Sequence, residues 1–367
     1  MGLRTYFFLL AIIFVLVSCL DSHGALVQAK KCRVPKKKNN KGDSCRKPKP
    51  PSKKRRPSPP PPPPVVFAED VFEDDGVEVP DPKPKTPPSP QPEGPVLSSY
   101  KIVEEFDRDR TVYTQGIEIH KRCDDCEYSD FSSAGIYGAS RIAEFNLESG
   151  KLIRSRDLPA DEFAEGLTVL DGKLYQLIWK SNETYVYDVD DLGRRQVKEH
   201  TQDDGWGLTD DGTNLILSDS SNVLSFIDPS DFSLVKQIPV TFEGTDVVWI
   251  NELEWVDGLI YGNVYQRSCI AKIDPSNGKV VGWIDARGLK DKVDENHDAS
   301  EESDPRPDVL NGIAIKPRDA SRLYLTGKYW PKIFAVEEKP LNDRKPMSQE
   351  KIDEIKDICM VAVDARL

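Results

Sequence analysis

Short runs of alternating apolar and polar residues, separated by turn signals, fill the chain from Tyr100 onward. In the stretch Phe163–Trp179, Glu165 and Gly166 precede such a run, an Asp-Gly turn and a second run. Strict alternation predicts half-buried β-strands, and Asp-Gly favours a hairpin turn. A helical period is found only near Ser348–Ile358. The pattern therefore predicts an all-β domain followed by one short helix.

The same strand–turn–strand unit recurs five times, at intervals of roughly 45 residues. The copies open on similar short motifs: Gln115-Gly116-Ile117, Glu165-Gly166-Leu167, Trp206-Gly207-Leu208, Asn251-Glu252-Leu253 and Asn311-Gly312-Ile313. Repeats of this length are typical of propeller blades, because a single blade cannot bury both its faces without neighbours. We therefore predict a five-bladed β-propeller over residues 98–340, closed by a strand at Tyr100–Phe106 that completes the last blade. The acidic insert Lys290–Pro307 is expected to be a surface loop, and residues 341–367 a partly helical tail.

The repeat openings should each deliver one side chain to a common mouth, because the first strand of every propeller blade lines the central channel. The openings, with three residues from second strands, supply Gln115, Glu165, Trp206, Asn251, Asn311, Trp179, Tyr265 and Lys328. This set contains no histidine and no serine with a plausible base, which argues against a Ser-His-Asp hydrolase and a histidine zinc site. Glu252 and Glu254 flank Leu253, and we expect one of them to face the channel and the other to make a contact between blades.

The first 24 residues have the layout of a secretory signal peptide. A single early charge, Arg4, precedes an apolar run from Tyr6 to Leu20 and then small residues. That run is shorter than the roughly twenty residues that a membrane helix needs, although an uncleaved signal anchor is the alternative. We expect entry into the secretory pathway, with the protein secreted or held in an endomembrane lumen and no transmembrane segment after signal removal. The sequon at Asn182 is then a glycosylation site.

Residues 25–97 have the composition of a disordered arm. The block Lys30–Arg56 holds fourteen Lys or Arg against one acid, and the proline run Pro59–Pro64 and an acidic patch follow it. Such a segment cannot bury enough apolar surface to offset the entropy lost on ordering. The basic block either binds a polyanion or is a solvated linker. Because the whole chain carries a net charge of -12, the remainder is strongly acidic and unsuited to binding nucleic acid.

Six cysteines follow the signal peptide, and in an exported chain they permit disulfides. The local pairs are Cys32 with Cys45 and Cys123 with Cys126. The second pair could instead be half a zinc site or a redox pair. No second Cys or His pair stands at metal spacing, so a loop disulfide is the favoured interpretation.

Seven short motifs, in order from Tyr100 to Glu337, resemble the plant and bacterial type of glutaminyl cyclase, a family of five-bladed propellers. The motifs are Tyr113–Gly116, Gly135–Gly138, Phe163–Gly166, Asp204–Thr209, Asn251–Trp255, Leu310–Ala314 and Thr326–Lys332. The resemblance implies a glutaminyl-peptide cyclotransferase, which converts the N-terminal glutamine of peptides to pyroglutamate and releases ammonia. It does not include the arm.

The resemblance also implies roles for the mouth residues. Glu165 would act as general acid and base, and Lys328, Asn251 and Gln115 would hold the γ-amide and the oxyanion. The aromatic walls that position the substrate would be Trp206, Trp179, Tyr113, Phe163 and Tyr265. The scheme requires no metal or cofactor, although the fold of the family also accommodates a structural calcium in the channel. We expect a monomer.

Two departures from the family pattern bear on the site. Tyr265 stands where the family has a tryptophan, which replaces an indole donor by a phenol. The family's Tyr-Glu-Ser-Thr run becomes Phe131–Ala134, so that a family acid is missing or displaced, with Glu127 a weak substitute. We expect altered substrate access there.

Plainer roles compete for the same residues. Glu165 could cap backbone N–H groups in the channel, Trp179 and Trp206 could pack blades together, and Lys328 could be a surface cation beside Trp330. At the level of the whole protein, a non-catalytic secreted propeller tethered by its basic arm and a calcium-dependent propeller hydrolase are the alternatives.

Overall fold

The computed structural model describes residues 94–295, 305–341 and 347–362. The predicted signal peptide and nearly all of the predicted arm, including Cys32 and Cys45, lie outside the described residues. The described ranges belong to one compact unit, Val77–Leu367. The domain begins with strand β1, Val96–Asp107, two residues before the predicted boundary.

Three four-stranded antiparallel sheets follow in chain order, as the alternating pattern predicted. The first holds β2 (Thr114–His120), β3 (Ser129–Ala134), β4 (Arg141–Asn146) and β5 (Leu152–Asp157). The second holds β6 (Ala164–Leu170), β7 (Lys173–Ile178), β8 (Glu183–Asp188) and β9 (Asp191–Glu199). The third holds β10 (Leu208–Asp210), β11 (Leu215–Ser218), β12 (Val223–Ile227) and β13 (Leu234–Pro239). A two-stranded hairpin, β14 (Thr241–Phe242) with β15 (Thr245–Asp246), comes next.

The remaining strands form one eight-stranded sheet around β1. They are β16 (Ile250–Val256), β17 (Leu259–Val264), β18 (Cys269–Ile273), β19 (Val280–Asp285), β20 (Leu310–Lys316), β21 (Asp319–Gly327) and β22 (Lys332–Pro340). The order is β16-β17-β18-β19-β1-β22-β21-β20. β1 pairs antiparallel with β22 and, at its start, parallel with β19. The strand predicted at Tyr100–Phe106 therefore does complete the last set of strands.

The five first strands contact one another in a closed cycle. β2 contacts β6, β6 contacts β10, β10 contacts β16, β16 contacts β20, and β20 contacts β2. The repeated glycines permit this approach: a Cβ at Gly116 would lie 2.7 Å from Leu167 N, and one at Gly166 would lie 2.5 Å from Leu208 N. At the first three openings, the glycine after the opening residue thus lets the next first strand come close.

The hydrophobic core lies between neighbouring sheets. Phe131 and Ile142 of the first sheet pack with Leu174 of the second, and Ile117 of the first packs with Tyr324 of β21. Leu170 extends the core from the second sheet to the third. Each sheet therefore buries both of its faces against neighbours, as the repeat pattern required.

Two helices occur in the described ranges. α1, Leu289–Glu295, begins one residue before the insert Lys290–Pro307 and covers its first six residues, so the prediction of a surface loop was wrong there. Two apolar side chains spaced four apart, Leu289 and Val293, are buried there and account for the helix. Neither helix of the described ranges has the length and apolarity to span a membrane.

The C-terminal helix α2, Gln349–Cys359, confirms the helix predicted near Ser348. Ser348 caps it, because its Oγ accepts a hydrogen bond from Lys351 N. A disulfide joins Cys359 to Cys269 of β18, a pairing that the sequence left unassigned. The predicted loop disulfide between Cys123 and Cys126 is confirmed.

Candidate active site

The opening residues of the repeats come together at one end of the cycle of first strands. Gln115, Glu165, Asn251 and Asn311 are each the second residue of β2, β6, β16 and β20, and Trp206 lies two residues before β10. All five are buried. The Gln115 amide donates to Glu165 Oε1 at 3.4 Å, and the Asn311 amide donates to Gln115 Oε1 at 3.4 Å.

A backbone irregularity recurs at these openings. The pairing register shifts between Thr114 and Gly116, between Ala164 and Leu167, between Ile250 and Leu253, and between Leu310 and Ile313. Bulges of this kind bend a strand locally and re-aim a side chain. Four of the five first strands therefore place their second residue by the same local device.

Ser218 holds the two openings of the third and fourth repeats in place. It ends β11, and its carbonyl accepts from Trp206 N at 2.8 Å. Its hydroxyl accepts from Gly207 N and donates to Asn251 O, each at 2.8 Å. Sequence reasoning missed this residue, because a serine at the end of a strand carries no motif.

Glu165 is 4% exposed and accepts a hydrogen bond only from Gln115 among the described residues. Burial raises the pKa of its carboxyl well above the ordinary value, with Lys328 opposing the rise and Asp204 adding to it. No backbone N–H of the described chain donates to this carboxylate, so it does not cap the backbone. A buried acid with a raised pKa and one long hydrogen bond is suited to exchanging a proton with a ligand.

Lys328 is 3% exposed and follows β21 directly. The interpretation of Lys328 as a surface cation is wrong. Its ammonium lies over the ring of Tyr113 at 4.7 Å and over that of Tyr265 at 5.2 Å. Burial lowers the pKa of Lys328, while Glu165 and Asp308 oppose the fall. Two aromatic rings thus hold a buried cation, and this cation interacts electrostatically with Glu165.

One aromatic wall of the site is formed by half-buried rings. The Phe163 ring lies 5.5 Å from that of Trp179 and 6.4 Å, edge on, from that of Tyr113. Tyr137 adds a ring 5.3 Å from Phe163. Tyr137 stands in one of the seven motifs, but sequence reasoning gave it no role, because its neighbour Phe163 is distant along the chain.

A second wall contains Trp206 and Tyr265, whose rings meet edge on at 5.7 Å. Trp249, which lies in the left-handed region with φ 63°, packs against Tyr265 at 6.0 Å. The indole Nε1 of Trp206 and the side-chain Oδ1 atoms of Asn251 and Asn311 are buried and have no hydrogen-bond partner among the described residues. Buried polar atoms of this kind are free to bond a polar ligand or water.

Glu252, next to Asn251, has a different environment. Its Oε2 accepts from Ile313 N at 2.8 Å and its Oε1 from Ile117 N at 3.4 Å. Ile117 and Ile313 belong to β2 and β20, so this carboxylate lies between first strands, as expected for one of the two glutamates that flank Leu253. Burial raises its pKa well above the ordinary value, and the two backbone hydrogen bonds oppose the rise.

The segment that departs from the family pattern approaches the mouth only at its C-terminal end. Phe131–Ala134 belongs to β3 and is buried throughout. Glu127 precedes β3 and accepts from Asn146 Nδ2 at 2.6 Å, whereas the mouth end of β3 is Ala134, which pairs with Thr114. Glu127 therefore does not take the place of the missing acid in this site.

No group of three or more His, Cys, Asp or Glu side chains in residues 94–295, 305–341 and 347–362 is arranged to hold a metal ion. Lys328 and the amides supply the polar groups of the mouth.

Comparison with known proteins identifies the family of the chain. The chain matches the glutamine cyclotransferase family over residues 82–337. It is 34% identical over 244 residues to the glutaminyl-peptide cyclotransferase of Arabidopsis thaliana, a match that covers 65% of this chain and 71% of the relative. The crystal structure of Myxococcus xanthus glutaminyl cyclase is 32% identical, with a TM-score of 0.59, and the match covers 68% of this chain and 100% of that one. The predicted resemblance is confirmed, and the chain belongs to the glutamine cyclotransferase family.

Proposed function

We propose that this protein is a glutaminyl-peptide cyclotransferase that converts the N-terminal glutamine of peptides and proteins to pyroglutamate with release of ammonia. The observation that carries the proposal is the buried Glu165, electrostatically coupled to the buried Lys328, at the mouth of a chain that belongs to this family.

The scaffold of the proposed enzyme is a five-bladed β-propeller. The closed cycle β2-β6-β10-β16-β20 supports it, because five first strands in contact are what such a channel requires. The three separate four-stranded sheets supply three blades. The eight-stranded sheet supplies the other two, joined through β1.

Glu165 begins the reaction as a base. The α-amine of the substrate attacks the γ-amide carbonyl carbon, and the carboxylate accepts the proton that the amine loses. A carbon–nitrogen bond forms while the carbonyl electron pair moves to oxygen. The raised pKa of Glu165 brings it closer to that of the amine, which favours the transfer.

Lys328 and the amides act on the oxygen and the leaving group. The ammonium of Lys328, placed by Tyr113 and Tyr265, donates to the developing oxyanion. Asn251 Oδ1 accepts from the γ-amide N–H, and Gln115 orients Glu165 through their hydrogen bond. When the tetrahedral centre collapses, Glu165 returns its proton to the departing nitrogen, which leaves as ammonia.

The aromatic walls contribute by restricting the substrate. A glutamine side chain must fold back on its own amine, and each frozen rotor costs conformational entropy. Phe163 and Trp179 on one side and Trp206 and Tyr265 on the other limit the volume in which it can extend. The phenol of Tyr265 changes the shape of this wall without removing its ring.

The test is a cyclisation assay on the purified full chain. A Gln-initiated peptide should lose about 17 daltons and release one equivalent of ammonia, at the same rate with and without a chelator. Turnover no faster than the spontaneous rate would refute the enzyme. Calorimetric binding of the peptide without turnover would then support a non-catalytic binding module, and activity lost on chelation would support a calcium-dependent enzyme with calcium in the channel.

The remaining assignments are proposals about cellular context. The chain enters the secretory pathway through residues 1–24, and the two disulfides are consistent with an oxidising compartment. Asn182 lies half-buried in the turn between β7 and β8 and is the glycosylation site. The block Lys30–Arg56 binds a polyanion, and the protein is a monomer. Size exclusion with and without heparin tests both last points.

A further inference from the structure

Tyr137 is the most exposed aromatic side chain that the structure describes. It is 56% exposed, and Ile136 beside it is 39% exposed. The other exposed large apolar side chains lie on outer strands or in the tail: Leu152 and Ile153 on β5, Val197 on β9, Leu234 and Val235 on β13, and Leu341. Tyr137 differs from these residues because its ring also contacts the aromatic wall of a candidate binding mouth, where a ligand can reach it.

The ring of Tyr137 continues the wall of the candidate site outward. It lies 5.3 Å from Phe163 and 6.3 Å from Trp179, two rings of that wall. Exposure increases along this row, from the half-buried Phe163 and Trp179 to the exposed Tyr137. The apolar surface thus runs without a break from the glutamine pocket to solvent.

The turn that carries Tyr137 is hydrogen-bonded to the site. Ser140 Oγ exchanges hydrogen bonds with the backbone N–H and carbonyl of Ile136, each at 3.0 Å, and Ala139 N donates to the same carbonyl at 2.9 Å. Ser140 Oγ also accepts from Ala164 N, the residue before Glu165, at 3.2 Å. Gly138 N donates to Ala160 O at 2.9 Å. These bonds present the ring in one place and tie it to the strand that carries Glu165.

We propose that Ile136 and Tyr137 form a subsite for the side chain of the second residue of the substrate, and that this subsite favours aromatic or large apolar side chains. The inference rests on the proposed function, because it assumes that an N-terminal glutamine occupies the mouth. With the glutamine folded beside Glu165, its carbonyl and the next residue emerge at the rim. A second aromatic ring can then stack on Tyr137 or meet it edge on, with Ile136 beside it.

The test compares two tripeptide amides, Gln-Phe-Ala and Gln-Ala-Ala, each corrected for its spontaneous cyclisation. Wild-type protein should show a kcat/KM about three- to tenfold higher for the Phe peptide, carried by KM. Tyr137→Ala should reduce this ratio to near one, and Tyr137→Phe, which keeps the ring, should retain it. The matched control is Leu152→Ala, an equally exposed apolar residue on β5, which should leave the ratio unchanged.

The outcomes separate this inference from the proposed function. If wild-type protein turns over neither peptide above the spontaneous rate, the proposed function fails. If it turns over both with equal kcat/KM, or if Tyr137→Ala lowers both equally and leaves the ratio as in wild type, the enzyme stands and the subsite is refuted. An equal fall would assign Tyr137 to packing against Phe163 and Trp179.

Discussion

Two buried glutamates, one at the mouth and one in the channel wall, show how similar positions acquire different roles. Glu165 is the second residue of β6 and Glu252 the third of β16, and they are 4% and 1% exposed. Burial raises the pKa of both carboxyls. Their partners differ: Glu252 accepts from two backbone N–H groups, whereas Glu165 accepts one long hydrogen bond from the Gln115 amide.

The difference teaches that burial alone does not identify a reactive acid. Glu252 replaces the glycine of the other openings and joins β2 to β20, so its carboxylate serves as an acceptor for main chain. Glu165 lies among polar atoms that have no partner among the described residues and shares a field with Lys328. A buried carboxylate whose hydrogen-bonding capacity is unfilled is the one available to a substrate.

The largest expected effect follows from changing the mouth glutamate. Glu165→Gln keeps the shape but cannot exchange a proton, so kcat should fall by about two to four orders of magnitude. Steady-state ammonia release measures it, with circular dichroism as the control for folding. Activity within tenfold of wild type would show that Glu165 is not the acid and base of the reaction. The functional contrast between Glu165 and Glu252 would then also be refuted.

The second-largest effect is expected from changing Lys328. Lys328→Ala should lower kcat/KM by about two to three orders of magnitude, because the oxyanion loses its donor. Activity should be lost at alkaline pH as Lys328 loses its proton. Because the pKa of Lys328 is lowered, this loss in wild-type protein should begin below the pH at which an ordinary lysine titrates. Lys328→Arg, whose guanidinium stays protonated, should move the alkaline loss of activity to higher pH. An alkaline loss at the same pH in the Arg variant would show that another group causes it.

Glu252 should affect stability and not chemistry. Glu252→Ala leaves the N–H groups of Ile117 and Ile313 buried without acceptors, which should lower the free energy of unfolding by about 2 kcal/mol or more. Urea denaturation measures this loss. Activity assayed well below the melting temperature should fall by less than about tenfold. A loss as large as that of Glu165→Gln would place Glu252 in the catalytic machinery.

The smallest effect is a gain in stability. Because the folded-state pKa of Glu165 is raised, its favourable contribution is complete below the unfolded pKa, about 4.3, and is lost as pH rises through the folded value. Gln does not titrate, so Glu165→Gln should melt at a higher temperature than wild type at pH 8, and the difference should shrink toward pH 4. A difference that is the same at every pH would contradict a raised pKa.

Four of the five repeat openings could be predicted because a glycine follows a polar or aromatic residue there, at intervals of roughly 45 residues. Gln115, Glu165, Trp206 and Asn311 were located in this way. The contacts of Ser218 and Tyr137 could not be predicted, since each depends on residues from another repeat. Neither could the bulges, because each lies in the first residues of its strand, before the alternating run that could record an extra residue. The Cys269–Cys359 disulfide could not be predicted either, because its two cysteines are 90 residues apart and no local pattern pairs them.

That disulfide also has a consequence for how the chain behaves when it is cut. The covalent loop between Cys269 and Cys359 encloses β19 to β22, including the strand before Lys328. A protease that cleaves one bond inside this loop leaves two fragments that are still linked. Such nicked protein would migrate as a single species on a denaturing gel without reductant and separate into two bands once the bond is reduced.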